Sequence, residues 1–123
     1  MVIKESAENY LESILMIKQK KGVVHSIDIA TDLGFSKPSV SIAMKHFREE
    51  GYILMNAGGE ITLTDKGLSI AERIYERHQV IAKALMALGV DEDIAYEDSC
   101  KMEHDISDMT FEKIKEHIKK YEK

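Results

Sequence analysis

The chain has 123 residues, 44% hydrophobic and 32% charged, with one proline, seven glycines and one cysteine, a balance that suits a folded chain of one ordinary domain or two small ones. Several classes are excluded: no apolar run approaches the roughly 18 residues of a transmembrane helix, the start Met1-Val2-Ile3-Lys4-Glu5 lacks the basic-then-apolar build of a signal peptide, and a lone Cys100 cannot close an internal disulfide, so a cytoplasmic protein with no membrane partner is expected. The net charge of -5 is uneven, with most of the acidic excess beyond residue 75, so the first half is not barred from DNA although it carries no basic footprint.

Residues 4–20 predict a first helix, with Tyr10, Leu11, Ile14, Leu15 and Ile17 forming a helical apolar stripe and Lys20-Lys21-Gly22 ending it. Ser26 is a candidate N-cap for a short helix through Leu33, and Gly34-Phe35-Ser36 makes a turn. Ser36 can cap a third helix running to about Glu50, in which Pro38 is tolerated because first-turn N–H groups have no helical partner. Helix, short turn with glycine, helix is the helix-turn-helix plan. Two strand-like runs, Tyr52–Met55 and Glu60–Leu63, flank Asn56-Ala57-Gly58-Gly59 and predict a hairpin, which makes the unit a winged helix. Thr64 can cap a long helix to about Leu88, closed by Gly89; Asp91 can start a helix through His104 and Ser107 one through about Tyr121. The expected fold is therefore mainly α: a winged helix-turn-helix over residues 1–64, then an all-helical part over 65–123. The last helices carry more apolar face than a small unit can cover, so a homodimer is expected, a symmetry that suits palindromic double-stranded DNA.

In the third helix Val40, Ala43 and Phe47 share a face and should point to the core, leaving Ser39, Ser41, Ile42 and Lys45 outward. Its first turn, Ser36-Lys37-Pro38-Ser39, combines hydroxyls and a lysine with free N–H groups, which bind phosphate well. An ordinary amphipathic helix with a capped start accounts for the same residues; the wing at the correct distance is what favours DNA.

A second chemistry lies in Asp98-Ser99-Cys100-Lys101-Met102-Glu103-His104-Asp105. Cys100, Glu103 and His104 stand at i, i+3 and i+4, one turn apart on a helix face, and all three are metal-ligand types. Asn9 and Glu12 on the first helix and His78 in the long helix are further candidates. Each also has a plainer reading, since a lone histidine on a half-apolar helix is commonly a packed residue and a lone cysteine a small buried hydrophobe.

Several segments together resemble the DtxR/MntR family of metal-dependent repressors: Ser6-Ala7-Glu8-Asn9-Tyr10-Leu11-Glu12, Ile27-Asp28-Ile29-Ala30, Ser36-Lys37-Pro38-Ser39-Val40-Ser41, Ile61-Thr62-Leu63-Thr64, Tyr75-Glu76-Arg77-His78 and Cys100-Lys101-Met102-Glu103-His104. They follow in order from about residue 5 to 110. The resemblance implies a transcriptional repressor of metal-ion homeostasis, a metal-binding and dimerisation domain at 65–123, and a metal set of Asn9, Glu12, His78, Cys100, Glu103 and His104. It implies a DNA face built from Ser36, Lys37, Pro38, Ser39, Ser41, Ile42 and Lys45. Glu12 matches manganese-type members and Cys100 iron-type ones, while Asn9 stands where the manganese branch has a carboxylate. Fe(II) or Mn(II) is thus the expected corepressor, with Zn(II), Co(II) or Ni(II) binding in vitro. Ala82 and Tyr96 stand where iron-type members place ligands of a second site, which argues against that site. Ile42 stands where they have a polar base-reaching residue, and it can touch only apolar edges such as a thymine methyl. A metal hydrolase using Glu103 as base is disfavoured, since no nucleophile motif or Gly-rich loop accompanies it, and no small organic substrate is expected. The competing reading is a winged-helix regulator sensing an organic ligand, or a protein-binding adaptor, with His78, Cys100 and His104 in the core.

Overall fold

The computed structural model describes residues 5–121. Six helices and one two-stranded sheet follow in the order α1 (Glu5–Lys21), α2 (Ser26–Leu33), α3 (Lys37–Glu49), β1 (Ile53–Met55), β2 (Ile61–Leu63), α4 (Asp65–Ala87), α5 (Glu92–Met102) and α6 (Asp108–Tyr121). Packing divides the chain into two compact units, Met1–Glu72 and Arg73–Lys123, so the division falls inside α4. The first two turns of α4 pack with the winged helix, whereas the boundary expected from sequence stood at the start of that helix.

The first unit is closed by apolar side chains. Leu11, Ile14, Leu15 and Ile17 of α1 are buried, as are Ile29 and Ala30 of α2, Val40, Met44 and Phe47 of α3, and Ile53 and Ile61 of the wing. Tyr10, Phe35, Phe47 and Tyr52 form a chain of tilted and edge-on rings with centroids 5.5 to 6.2 Å apart, the geometry aromatic quadrupoles prefer. Ala43 is only half-buried, and Met44, four residues after Val40, takes the core position instead.

Local chemistry sets the ends of these elements. Gly34 closes α2 at φ 72°, where any other residue would be strained, and its N–H reaches the carbonyl of Ala30 at 2.9 Å. The start of α2 differs from expectation: His25 is the N-cap and Ser26 the first helical residue, because Asp28 turns back to accept the His25 N–H at 2.9 Å. Ser36 caps α3 as expected, its Oγ accepting the Ser39 N–H at 3.3 Å. The strands pair antiparallel with Ile53 opposite Leu63 and Met55 opposite Ile61. In the tip, Oδ1 of Asn56 accepts the N–H groups of Gly58 and Glu60 at 3.0 and 2.9 Å. Thr64 caps α4 by accepting the Gly67 N–H, and donates to the Gly51 carbonyl at 2.6 Å. Gly67 is there for space: a Cβ would lie 2.1 Å from the Tyr52 carbonyl oxygen.

In the second unit the rest of α4 packs with α5 and α6. Ile74, Ile81, Ala82, Ala95 and Phe111 are buried, but so are Arg77, His78, Ser99 and Glu103. Asp91 is the N-cap of α5 without a side-chain capping bond, whereas Ser107 does cap α6, accepting the Thr110 N–H at 3.2 Å. The helix expected to reach His104 stops at Met102, with Glu103 as its C-cap. No helix among the described residues is long and apolar enough to cross a membrane.

Candidate metal centre and nucleic-acid face

His78 lies midway along α4, Cys100 in the last turn of α5, and Glu103 directly after it. Their ligand atoms come within 4.8 Å of one another. Nδ1 of His78 is 3.0 Å from Oε2 of Glu103 and 3.5 Å from Sγ of Cys100. Glu103 is 0% exposed, whereas Cys100 opens to the surface, so the cluster has a buried floor and an accessible rim. Because the C-cap keeps right-handed helical angles (φ -61°, ψ -23°), the i, i+3 spacing still puts both side chains on one face after α5 has ended.

The other sequence candidates stand differently. His104 is beside the group but outside it: its side chain is almost wholly buried, with Nε2 3.3 Å from Oε1 of Glu103. Asn9 and Glu12 lie one turn apart on α1, half-buried and buried respectively, in the first unit. Ala82 is buried and the Tyr96 ring lies tilted against that of His78, centroids 5.5 Å apart, so neither supplies the ligand expected of a second iron-type site.

Two residues that sequence reasoning passed over hold this cluster. Ser99 is fully buried and donates to the His78 carbonyl at 2.6 Å, tying α5 to α4, with its Oγ also 3.4 Å from Nδ1. Its signal was the small-residue step Ala95–Ser99 along the buried face of α5. Arg77 donates through Nη1 to the carbonyls of Glu103 and Ile106, each at 3.0 Å, and through Nη2 to Asp108. Its signal was a basic residue inside the apolar stripe of α4.

The cluster gathers two acidic groups around one imidazole. The Cys100 sulfur and the Glu103 carboxylate facing the His78 ring raise its pKa from the usual 6.5 to about 10, against the opposing effect of burial. At neutral pH the imidazole is therefore protonated and supplies the positive charge that a buried carboxylate requires. Oε1 of Glu103 is buried without a hydrogen bond. An imidazole, a thiol and a carboxylate with ligand atoms within 4.8 Å of one another are a donor set suited to a divalent transition metal.

On the first unit, Ser36, Lys37, Pro38, Ser39, Ser41, Ile42 and Lys45 are all exposed on one end and side of α3. Ile42 is 60% exposed, a large aliphatic side chain with no intramolecular reason to face water. Arg48, one turn beyond Lys45, joins them; its guanidinium approaches the Met55 sulfur of the wing at 4.0 Å. The wing supplies no cation, and its 62%-exposed Leu54 is a second apolar projection.

Comparison with known proteins agrees with this division. Residues 3–57 match the family described as iron dependent repressor, N-terminal DNA binding domain, and residues 64–123 the family described as iron dependent repressor, metal binding and dimerisation domain. An uncharacterized HTH-type transcriptional regulator of Methanocaldococcus jannaschii is 34% identical over 97% of this chain and 97% of its own length. The transcriptional regulator MntR of Escherichia coli is 33% identical over 89% of this chain and 70% of its own. Among solved structures, a manganese-dependent transcriptional repressor in complex with manganese superposes with a TM-score of 0.84 at 24% identity; it covers 91% of this chain, which spans 52% of that longer one. These matches run in order across both units, and with them the chain belongs to the iron-dependent repressor (DtxR/MntR) family of metal-dependent, DNA-binding transcriptional regulators.

Proposed function

We propose that this regulator represses transcription in the cytoplasm when Fe(II) or Mn(II) is held by His78, Cys100 and Glu103, with His104 beside them. The observation that carries this reading is the convergence of the His78, Cys100 and Glu103 ligand atoms within 4.8 Å of one another, with Glu103 wholly buried. A bound divalent cation supplies there the positive charge that the metal-free protein takes from the His78 proton. His78 would hold the ion through Nδ1 once its proton has left, and Glu103 would hold it through its carboxylate. Cys100 would contribute a soft sulfur that favours Fe(II), while the Glu103 carboxylate keeps Mn(II) acceptable.

The dimer contact we assign to the second unit, where Ala84, Ala87, Leu88, Met109, Ile114 and Ile118 line an apolar hollow of about 760 Å³ and Leu88 and Met109 are left largely in solvent. A two-fold dimer presents two α3 helices and reads a palindromic operator. Lys37, Lys45 and Arg48 meet phosphates, and Ile42 meets an apolar base edge. Anaerobic gel shifts on promoter DNA with Fe(II), Mn(II), Zn(II) or chelator test this: retardation with Fe(II) or Mn(II) and none with chelator is expected. Retardation that chelator leaves untouched overturns it in favour of a metal-independent winged-helix regulator.

A further inference from the structure

From the buried contacts of Arg77 we infer that this arginine, which touches no candidate ligand atom, is the positioning residue of the metal centre: it sets where Glu103 and His104 are presented, and makes that presentation depend on the start of α6. The inference rests on the metal reading above. Glu103 and His104 begin the turn that joins α5 to α6; the Glu103 N–H still reaches the Ser99 carbonyl at 3.0 Å and the Asp105 N–H the Met102 carbonyl at 3.1 Å, but the carbonyls of the turn look outside it for donors. The last carbonyls of α5 have no helical partners and need acceptor-side satisfaction from elsewhere. Arg77 provides it from 26 residues away. Nη1 binds the main-chain carbonyl of Glu103, the same residue whose side chain faces His78, and also the carbonyl of Ile106. Nη2 pairs with Asp108, the first residue of α6, and the guanidinium lies over the Phe111 ring at 5.1 Å.

One planar fork thus grips both ends of the turn and its middle, from a position adjacent to His78 on α4. Arginine is suited to this because its donors are fixed in a plane and its charge is permanent; the compact ammonium of lysine cannot hold three separate acceptors in that geometry. The charges also match both helix termini, with a cation at the end of α5 and a carboxylate in the first turn of α6. Arg77 and His78, being consecutive on α4, point to the main chain and the side chain of the same Glu103. Any displacement of α6 that pulls Asp108 away therefore moves the Glu103 carboxylate relative to the imidazole.

The test uses the full chain with Co(II) as a spectroscopic probe, comparing the parent with Arg77→Lys and Asp108→Asn. In the parent, a sulfur-to-cobalt band reports Cys100 and the d–d bands report the geometry of the remaining ligands. Arg77→Lys is expected to weaken Co(II) binding about 10- to 100-fold, as for other residues that orient ligands. It should retain the sulfur band at saturation, because Cys100 sits on α5, but change the d–d envelope. In the metal-free variant, amides of residues 103–108 should exchange faster than in the parent, with α1 to α3 unaffected. Asp108→Asn, at a side chain 86% exposed, should shift affinity in the same direction by less. Parent-like affinity and d–d bands in Arg77→Lys overturn the inference. If Arg77→Lys loses its cooperative melt, Asp108→Asn decides: parent-like affinity there also overturns it. A parent that shows no cobalt–sulfur band at all overturns instead the metal reading.

Discussion

The two units place their candidate site residues on opposite sides of the solvent boundary. In the first, Ser36, Lys37, Ser39, Ser41, Ile42 and Lys45 are exposed, and the core beneath them is closed by Leu11, Ile14, Val40, Met44 and Phe47 without their help. In the second, Arg77, His78, Ser99 and Glu103 are themselves part of the buried interior. A surface reader of nucleic acid can change its side chains while the fold stands, because solvent already satisfies them. A buried cation site cannot, because each of its groups has been desolvated and must find a partner within the protein. Function is separable from stability in one unit and bound up with it in the other.

The largest effect expected from this contrast is at Glu103. Glu103→Ala leaves a protonated or unpaired His78 in the interior, and should lower metal-free stability by about 3–5 kcal/mol as well as abolish metal-dependent DNA binding. Denaturant melts with and without metal measure both; loss of metal response with no loss of stability would place Glu103 among the solvent-satisfied residues and break the contrast.

Acidity comes next. The raised pKa of His78 stabilises the metal-free fold fully below about 6.5, and that contribution fades as pH rises towards about 10. Metal needs the deprotonated ring, so over the same interval the cation competes better as protons become scarce, by up to about tenfold per pH unit. The rise in melting temperature on adding Mn(II) should therefore grow between pH 7 and 8.5. A rise that stays flat across that range means His78 holds no proton to displace.

At the rim, Cys100→Glu should move the response towards Mn(II) and away from Fe(II), with a smaller loss of metal-free stability than Glu103→Ala, since a carboxylate there still gives the His78 ring an acidic partner. Activation curves for the two metals on operator DNA check this, and identical curves for parent and variant would show that sulfur does not set the choice.

Smallest in stability, and confined to DNA, are the changes on α3. Lys37→Ala and Lys45→Ala should leave melting unchanged and each reduce the slope of log K against log salt by about 0.9 if the side chain touches a phosphate. Ile42→Ala should instead keep the salt slope and lose about 1 kcal/mol of preference at a single base pair. Titrations of operator and scrambled DNA at several salt concentrations separate the two behaviours; an Ile42 variant that loses affinity equally for every sequence would remove it from base readout.

What the sequence by itself determined was everything carried by spacing. Apolar residues at helical intervals drew α1, α3 and α4. Ser36, Thr64 and Ser107 marked three helix starts, all of which the structure uses, and Gly34 and Gly89 marked two ends. The i, i+3 step from Cys100 to Glu103 survives because the chain keeps helical angles one residue past α5. Local signals suffice for these because capping and periodicity involve residues only three or four apart. Tertiary structure alone decided that α5 stops at Met102, that Glu103 is wholly buried while Cys100 is open, and that Ser99 and Arg77 reach across 21 and 26 residues to hold the site. No interval in the sequence encodes such contacts. They arise when the folded chain brings α4 beside the end of α5 and the start of α6, where the carbonyls of one helix end are met by a side chain from another.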